Sequence, residues 1–405
     1  MWNSVSFYDE LKFNDEFDRP LLLKSLRSPL HFVSLLGLVN SVKILLEQGY
    51  HADAKVQTSA GEFSALCAAC IGGYLLIVKI LLDKGAVIDP LEGSKDSLYH
   101  ASYFGHEDVV RLLLGSGANA SAQGGEYFTA LQAASYKGRK EVVQLLVEKG
   151  ADMNAQGGWF GNALRAASRK GSLEIVQLLI EKGADVNAQG GGDYRNALQT
   201  ASYEGSMEVA QLLIEKGADV NAQGGLYGSA LQAASFWGRM EIVQLLIEKG
   251  ADVNTQGGLY GKALQAASVK GANEMVQLLF EKGADVNARG GRYCTAIRAA
   301  TERYERQVVQ HLLDNGALEL YDTSQSQDGS DERWSPVEEG SDGSEYQSED
   351  DLGDIGHQSE KDSDESERQS KDDLDEFGDQ SKKDSHGIEH KSEENTEALQ
   401  QSSPV

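Results

Sequence analysis

Cysteine is scarce: three residues, at positions 67, 70 and 294, in a chain of 405. That is too few for a disulfide framework and predicts a reducing compartment. Long apolar runs are missing as well. Runs such as Leu75-Leu76-Ile77-Val78 fall far short of the ~18–20 residues that span a bilayer, so no membrane is expected. Met1-Trp2-Asn3-Ser4 opens neither a basic nor an apolar stretch before Asp9, and no signal peptide is read there. Basic side chains are in deficit too, with 37 Lys and Arg against 63 Asp and Glu and a net charge of −26. So acidic a chain repels phosphates, which argues against nucleic acid as a general ligand. These deficits predict a soluble protein of the cytoplasm, with the nucleus as the second location.

The charge is unevenly spread. Residues 321–405 hold 27 acidic and 7 basic side chains, a net of −20, while the first 320 residues hold 36 and 30, a net of −6. The acidic stretch has only 12 apolar residues among 85, too few to offset the entropy of ordering it, and it is expected to be a disordered tail. Within it Gln347-Ser348, Gln358-Ser359, Gln369-Ser370 and Gln380-Ser381 recur every 11 residues. Ser348, Ser359, Ser370 and Ser381 each have Asp three residues later, the pattern of acid-directed phosphorylation. The tail reads either as a solubilising spacer or as a multivalent acidic ligand.

What the first part has in abundance is repetition. Thr129-Ala130-Leu131-Gln132-Ala133-Ala134-Ser135 returns at Asn162, Asn196, Ser229, Lys262 and Thr295, at spacings of 33 or 34 residues. Gly-Ala-Asp-Val-Asn-Ala-Gln-Gly-Gly starts at Gly183 and Gly217 and, with one change, at Gly150, Gly250 and Gly283. Leading Leu or Ile residues at 30, 66, 98, 131, 164, 198, 231, 264 and 297 mark nine copies. Each copy spells two short helices. In copy four, Thr129 can cap Ala130–Lys137, and Gly138 can end it in the left-handed conformation. A second helix, Arg139–Lys149, carries Val142, Val143, Leu145, Leu146 and Val147 as its apolar stripe, and Gly150 stops it.

A turn and two helices in ~33 residues resemble the ankyrin repeat, whose signature is T-P-L-H-x-A. Ser28-Pro29-Leu30-His31 nearly matches it; later copies put Ala for Pro and Gln for His, as in Ala130-Leu131-Gln132. That variant resembles arrays of filamentous fungi, including those that follow NACHT domains. The resemblance implies an all-α ankyrin-repeat solenoid, each repeat a helix-turn-helix plus a β-turn. The expected organisation is an extension (1–27), nine repeats (28–320) and the tail (321–405). Losing the family's Thr–His hydrogen bond predicts slightly looser helix starts. Copy nine, with His311 where copies four to eight have leucine, is expected to be the polar cap.

Other motifs carry little chemistry. Gly257-Gly258-Leu259-Tyr260-Gly261-Lys262 ends in Gly-Lys but continues with Ala263 where a phosphate loop needs Ser or Thr. Cys67-x-x-Cys70 falls on helix one of copy two and reads as buried small residues. No cofactor, metal or catalytic grouping is predicted, so the chain is not expected to be an enzyme.

The resemblance implies a protein partner held on the concave helix-one/turn face. There the two residues before the helix-one glycine change from copy to copy while their framework does not. They are Tyr103-Phe104, Tyr136-Lys137, Arg169-Lys170, Tyr203-Glu204, Phe236-Trp237 and Val269-Lys270. Contact candidates are Tyr103, Phe104, Tyr136, Lys137, Arg169, Lys170, Tyr203, Phe236, Trp237 and Lys270, with Phe236 and Trp237 foremost as exposed anchors. Tyr127, Phe160, Tyr194, Tyr227, Tyr260 and Tyr293, one per turn with Trp159 beside the second, are read as a structural stack. Arg289, Arg292, Arg298, Arg303 and Arg306 of copy nine, with Lys137, Arg165, Arg169 and Lys170, predict a basic groove. The expected function is a monomeric scaffold or adaptor for a protein partner. The competing reading is a chaperone-like or histone-binding protein acting through the tail.

Overall fold

The computed structural model describes residues 28–58, 61–88, 97–125, 127–190 and 195–318. The extension and the acidic tail, with the four candidate phosphorylation serines, lie outside these described residues, as does Tyr194. All described elements belong to one unit, Met1–Thr323.

Helices come in pairs along the chain. They are α1 (Pro29–Leu35) with α2 (Val39–Glu47), α3 (Ala65–Ile71) with α4 (Leu75–Asp83), and α5 (Ser97–Phe104) with α6 (Glu107–Gly115). Next come α7 (Ala130–Tyr136) with α8 (Lys140–Glu148), α9 (Ala163–Lys170) with α10 (Leu173–Glu181), and α11 (Ala197–Glu204) with α12 (Met207–Glu215). The last are α13 (Ala230–Phe236) with α14 (Met240–Glu248), α15 (Ala263–Val269) with α16 (Asn273–Glu281), and α17 (Ala296–Glu302) with α18 (Arg306–Asp314). Helix-one members stack on helix-one members of the adjoining copies, and helix-two members on helix-two members. The first turn closes as a two-stranded antiparallel hairpin, β1 (Lys55–Thr58) with β2 (Gly61–Ser64). Among the described residues, four later turns each keep a single bridge, among them Gly157 with Gly161 and Gly257 with Gly261. The Gly257–Lys262 run is therefore a hairpin tip, with the Gly257 N–H donating to the Gly261 carbonyl at 2.8 Å.

One core runs through the stack. The leading residue of every copy is buried, from Leu30 to Ile297, as are Val110, Val143, Val176, Val243 and Val276 of the second helices. Alanines such as Ala134, Ala167 and Ala234 are also buried, and their small side chains let neighbouring helices approach closely. Local signals set the ends: Thr129 accepts from the Gln132 N–H, and Gly138 beyond the Lys137 C-cap takes φ 71°. Copy nine has Tyr304 in that glycine's place, at φ 62°.

The Asp-Val-Asn motif is a tie between copies. Asp185 Oδ1 accepts the Asn187 N–H at 2.9 Å, which orients the asparagine. Asn187 Oδ1 then accepts the Asp219 N–H of the following copy at 2.8 Å, while its Nδ2 donates to the Gly217 carbonyl at 3.0 Å. Asn221 and Asn254 repeat the pattern.

The glutamine that replaces the family's histidine corrects the expectation of looser helix starts. Gln132 Oε1 accepts the Thr129 N–H at 3.2 Å, and Thr129 Oγ1 accepts the Gln132 N–H at 3.1 Å, closing a capping box. Gln132 Nε2 then reaches the next turn, donating to the carbonyls of Ala155 at 3.0 Å and Gly161 at 3.1 Å. Gln199, Gln232 and Gln265 bond their own next turns in the same way. The start is fastened twice because a carboxamide carries both an acceptor and a donor.

His31 fills the same slot in copy one, its Nε2 lying 3.1 Å from the Phe63 carbonyl oxygen. Burial pushes its pKa below the ordinary value, against the opposing hydrogen bonds of the Phe63 and Ala54 backbone. With the folded value below the unfolded one of about 6.5, protonation favours unfolding; stability is complete above that pH and falls as the solution is acidified beneath it. Hydrogen exchange over residues 29–83 should therefore be faster, relative to the later copies, at pH 5 than at pH 7.5. His31→Gln should remove that pH dependence, and persistence of the same slope in the variant would contradict the assignment.

Candidate protein-interaction face

The ends of the first helices meet the turn aromatics in two clusters. In the first, Tyr127 stacks on Phe160 at 5.6 Å with planes 7° apart, and on Tyr103 at 5.8 Å; Tyr136 lies 4.7 Å from Phe160. In the second, Phe236 stacks on Tyr260 at 4.4 Å, and Trp237 meets Tyr203 edge-on at 4.9 Å. Trp237 Nε1 donates to Tyr227 Oη at 3.4 Å. The turn aromatics Tyr127, Tyr227, Tyr260 and Tyr293 are buried, and Tyr227 lies 6.0 Å from Tyr260 of the following turn with planes 33° apart.

Burial redistributes the contact candidates. Tyr103 and Phe236 are both buried, which corrects the expectation of Phe236 as an exposed anchor: each ring is enclosed by its neighbours in the cluster. Phe104, Tyr136, Lys137, Arg169, Tyr203 and Trp237 are half-buried, and Lys170 and Lys270 are exposed. Trp159, expected to be structural, is the large aromatic that projects from the turns, at 68% exposure.

Cations sit on the rings. Lys137 Nζ is 4.6 Å from the Tyr103 ring centre and 5.0 Å from that of Tyr136. Lys270 Nζ is 4.6 Å above Phe236 and 4.9 Å above Trp237. The Arg169 guanidinium lies 5.0 Å over Tyr203 and is paired with Glu204. The basic groove is otherwise corrected at two places. Arg165 is buried rather than lining a surface, because it occupies the slot that Gln132 fills in copy four. Arg298 is exposed but pairs with Glu302 at 2.6 Å.

Four contributors escaped the sequence reading. Tyr99, at the slot of Gln132, is buried and lies 6.5 Å from Tyr127, so the first cluster extends into copy three. Arg139 Nε donates to the Tyr103 carbonyl at 3.4 Å, and Arg239 Nε to that of Tyr203 at 3.3 Å, each clipping the preceding copy's helix-one end. His106 is placed alike, its Nε2 2.9 Å from the Ile71 carbonyl oxygen. The signal lay one residue past the glycine, where His106, Arg139, Ser172, Ser206, Arg239 and Ala272 vary from copy to copy.

Among the described residues no group of His, Cys, Asp and Glu could hold a metal ion, and no helix is long and apolar enough to cross a membrane. Cys67 and Cys70 are buried and in no disulfide, as expected for helix-one packing.

The match to a family model agrees with this architecture. The family described as ankyrin repeats (3 copies) matches residues 30–124, 98–190, 164–257 and 198–290. An 88-residue stretch is 41% identical to the ankyrin repeat and KH domain-containing protein mask of Drosophila melanogaster. The match covers 21% of this chain and 2% of that relative, so the chain spans a small fraction of its length. The crystal structure of the human ASB11 ankyrin repeat domain is similar at a TM-score of 0.48 and 26% identity, covering 56% of this chain and 99% of that one.

Proposed function

We propose that this chain, which belongs to the ankyrin-repeat family, is a monomeric scaffold or adaptor that holds a protein partner on its helix-one face. Such arrays are protein-interaction modules, and their fold is not one that builds a catalytic centre. The observation that carries the reading is positional: a recurring stacked frame, mainly of leucines and alanines, displays a face whose residue pairs differ from copy to copy, Tyr136-Lys137 in one and Phe236-Trp237 in another. Selection for fold alone has no reason to vary one face and hold the rest. The partner is a protein rather than nucleic acid because the net charge of −26 opposes a polyphosphate. The resemblance to fungal arrays extends the reading to signalling or immune-type assemblies, and the low cysteine count suits the cytoplasm or nucleus.

The test is affinity capture on immobilised full-length protein, with Lys137→Glu/Trp237→Asp on the helix-one face and Gln244→Ala/Gln277→Ala on the opposite helices. Partners identified by mass spectrometry should be lost from the first variant and kept by the second. Retention by both, with loss only when residues 321–405 are removed, would replace this reading by the tail-based chaperone or histone-binding one.

A further inference from the structure

The last residue before each helix-one glycine, or before Tyr304 in copy nine, forms a row with a definite order of chemistry. From copy four to copy nine it reads Lys137, Lys170, Glu204, Trp237, Lys270 and Arg303. Glu204 is paired with Arg169, so its charge is compensated within the face. Two cations therefore stand at each end, and the middle is aromatic, built from Tyr203, Tyr227 and Trp237. Lys137 and Lys270 each lie over two rings of their clusters, which restrains the side chains before any ligand arrives and lowers the ordering cost of binding.

Resting on the reading of this face as a protein-binding surface, we propose that its occupant is one extended segment of a partner, acidic at both ends and carrying a large apolar or aromatic side chain at its centre. Packed helices lie about 8–10 Å apart, so the five steps from Lys137 to Arg303 span roughly 45 Å. An extended chain rises ~3.3 Å per residue, which makes the segment about fourteen residues long, with three residues per copy. Carboxylates three residues apart would meet Lys137 and Lys170 at one end and Lys270 and Arg303 at the other. The cations are interrupted at Glu204 and Trp237, which suits such a segment better than the unbroken charge of a nucleic acid strand.

Fluorescence anisotropy of the full chain with labelled 15-residue synthetic peptides tests this. One peptide carries Glu at every third position near both ends and Trp-Leu at the centre. A second has the same composition with Glu at the centre and the apolar residues at the ends. A third has Lys for Glu, and a 15-nucleotide single-stranded DNA is the fourth probe. The first peptide should bind at least tenfold more tightly than the others, and weaken at least fivefold between 50 and 500 mM salt, since these charges face solvent. Lys137→Glu/Lys270→Glu should cost it tenfold or more and improve the lysine peptide, with an unchanged unfolding midpoint showing that the variant is folded. Equal binding of the first two peptides overturns the end–centre–end order. Tighter binding of the lysine peptide or of DNA overturns the acidic assignment while leaving the face in place, provided Trp237→Ala weakens it. If no probe responds to Trp237→Ala or to the double charge reversal, both this proposal and the docking reading of the face fall.

Discussion

Gln132→Ala is expected to lower the stability of the array by about 2–3 kcal/mol, seen as a shift of the urea midpoint. The carboxamide is buried, closes the capping box with Thr129 and donates to the carbonyls of Ala155 and Gly161. Alanine removes these bonds, taking from the buried Ala155 carbonyl its side-chain donor and leaving the Gly161 carbonyl with the Gly157 N–H, and each such loss costs on the order of 1 kcal/mol or more. Gln132→Glu should be worse, roughly 3 kcal/mol or above at neutral pH, because it buries a carboxylate facing carbonyl oxygens. Gln132→His is the milder control, since His31 occupies the equivalent slot and lies in hydrogen-bonding range of the Phe63 carbonyl. Equal midpoints for the alanine and histidine variants would contradict the role given to this side chain.

Removing everything after Gly283 should cost the array several kcal/mol and raise its light scattering, whereas ending the chain after Leu320 should leave the midpoint of the array unchanged. Stability in a stacked array is close to a sum of copies and the interfaces between them. The shorter chain loses the core residues Ile297, Val308 and Leu312, and it uncovers apolar side chains of copy eight that now pack against copy nine. It also takes from Gln265 its acceptors at Ala288, Gly290 and Cys294. Burial of a few aliphatic side chains, at ~25 cal/mol per Å² of apolar surface, reaches that size without further terms. Copy nine ends differently from the copies before it: Arg298 and Thr301 are exposed, where Gln265 and Ser268 of copy eight are buried. His311 turns back on its neighbour, edge-on to Phe280 at 5.8 Å and 2.7 Å from Gln277 Oε1. Equal solubility of the two shortened chains would show that copy nine does not act as the cap.

The period, the paired helices and their ends were legible in the sequence because each is set within a few residues. Thr129 caps a helix that begins beside it, Gly138 ends that helix at φ 71°, and the 33-residue spacing repeats both. The face of interest was legible too, as the positions where copies disagree. Exposure was not, because it depends on what the next copy places overhead. Phe236 and Trp237 are neighbours in one copy, yet Tyr260 of the following turn covers the first ring and leaves the second half-open. Arg165 reads as a surface cation until stacking puts it in a glutamine's buried slot. Gln132 looks like the loss of a histidine until its carboxamide is seen to bond carbonyls 23 and 29 residues away. The sequence by itself determined the repeating frame, since that rests on local capping and helix-ending chemistry. Tertiary structure alone decided which side chains tie the copies together and which remain exposed, because those contacts exist only between stacked copies.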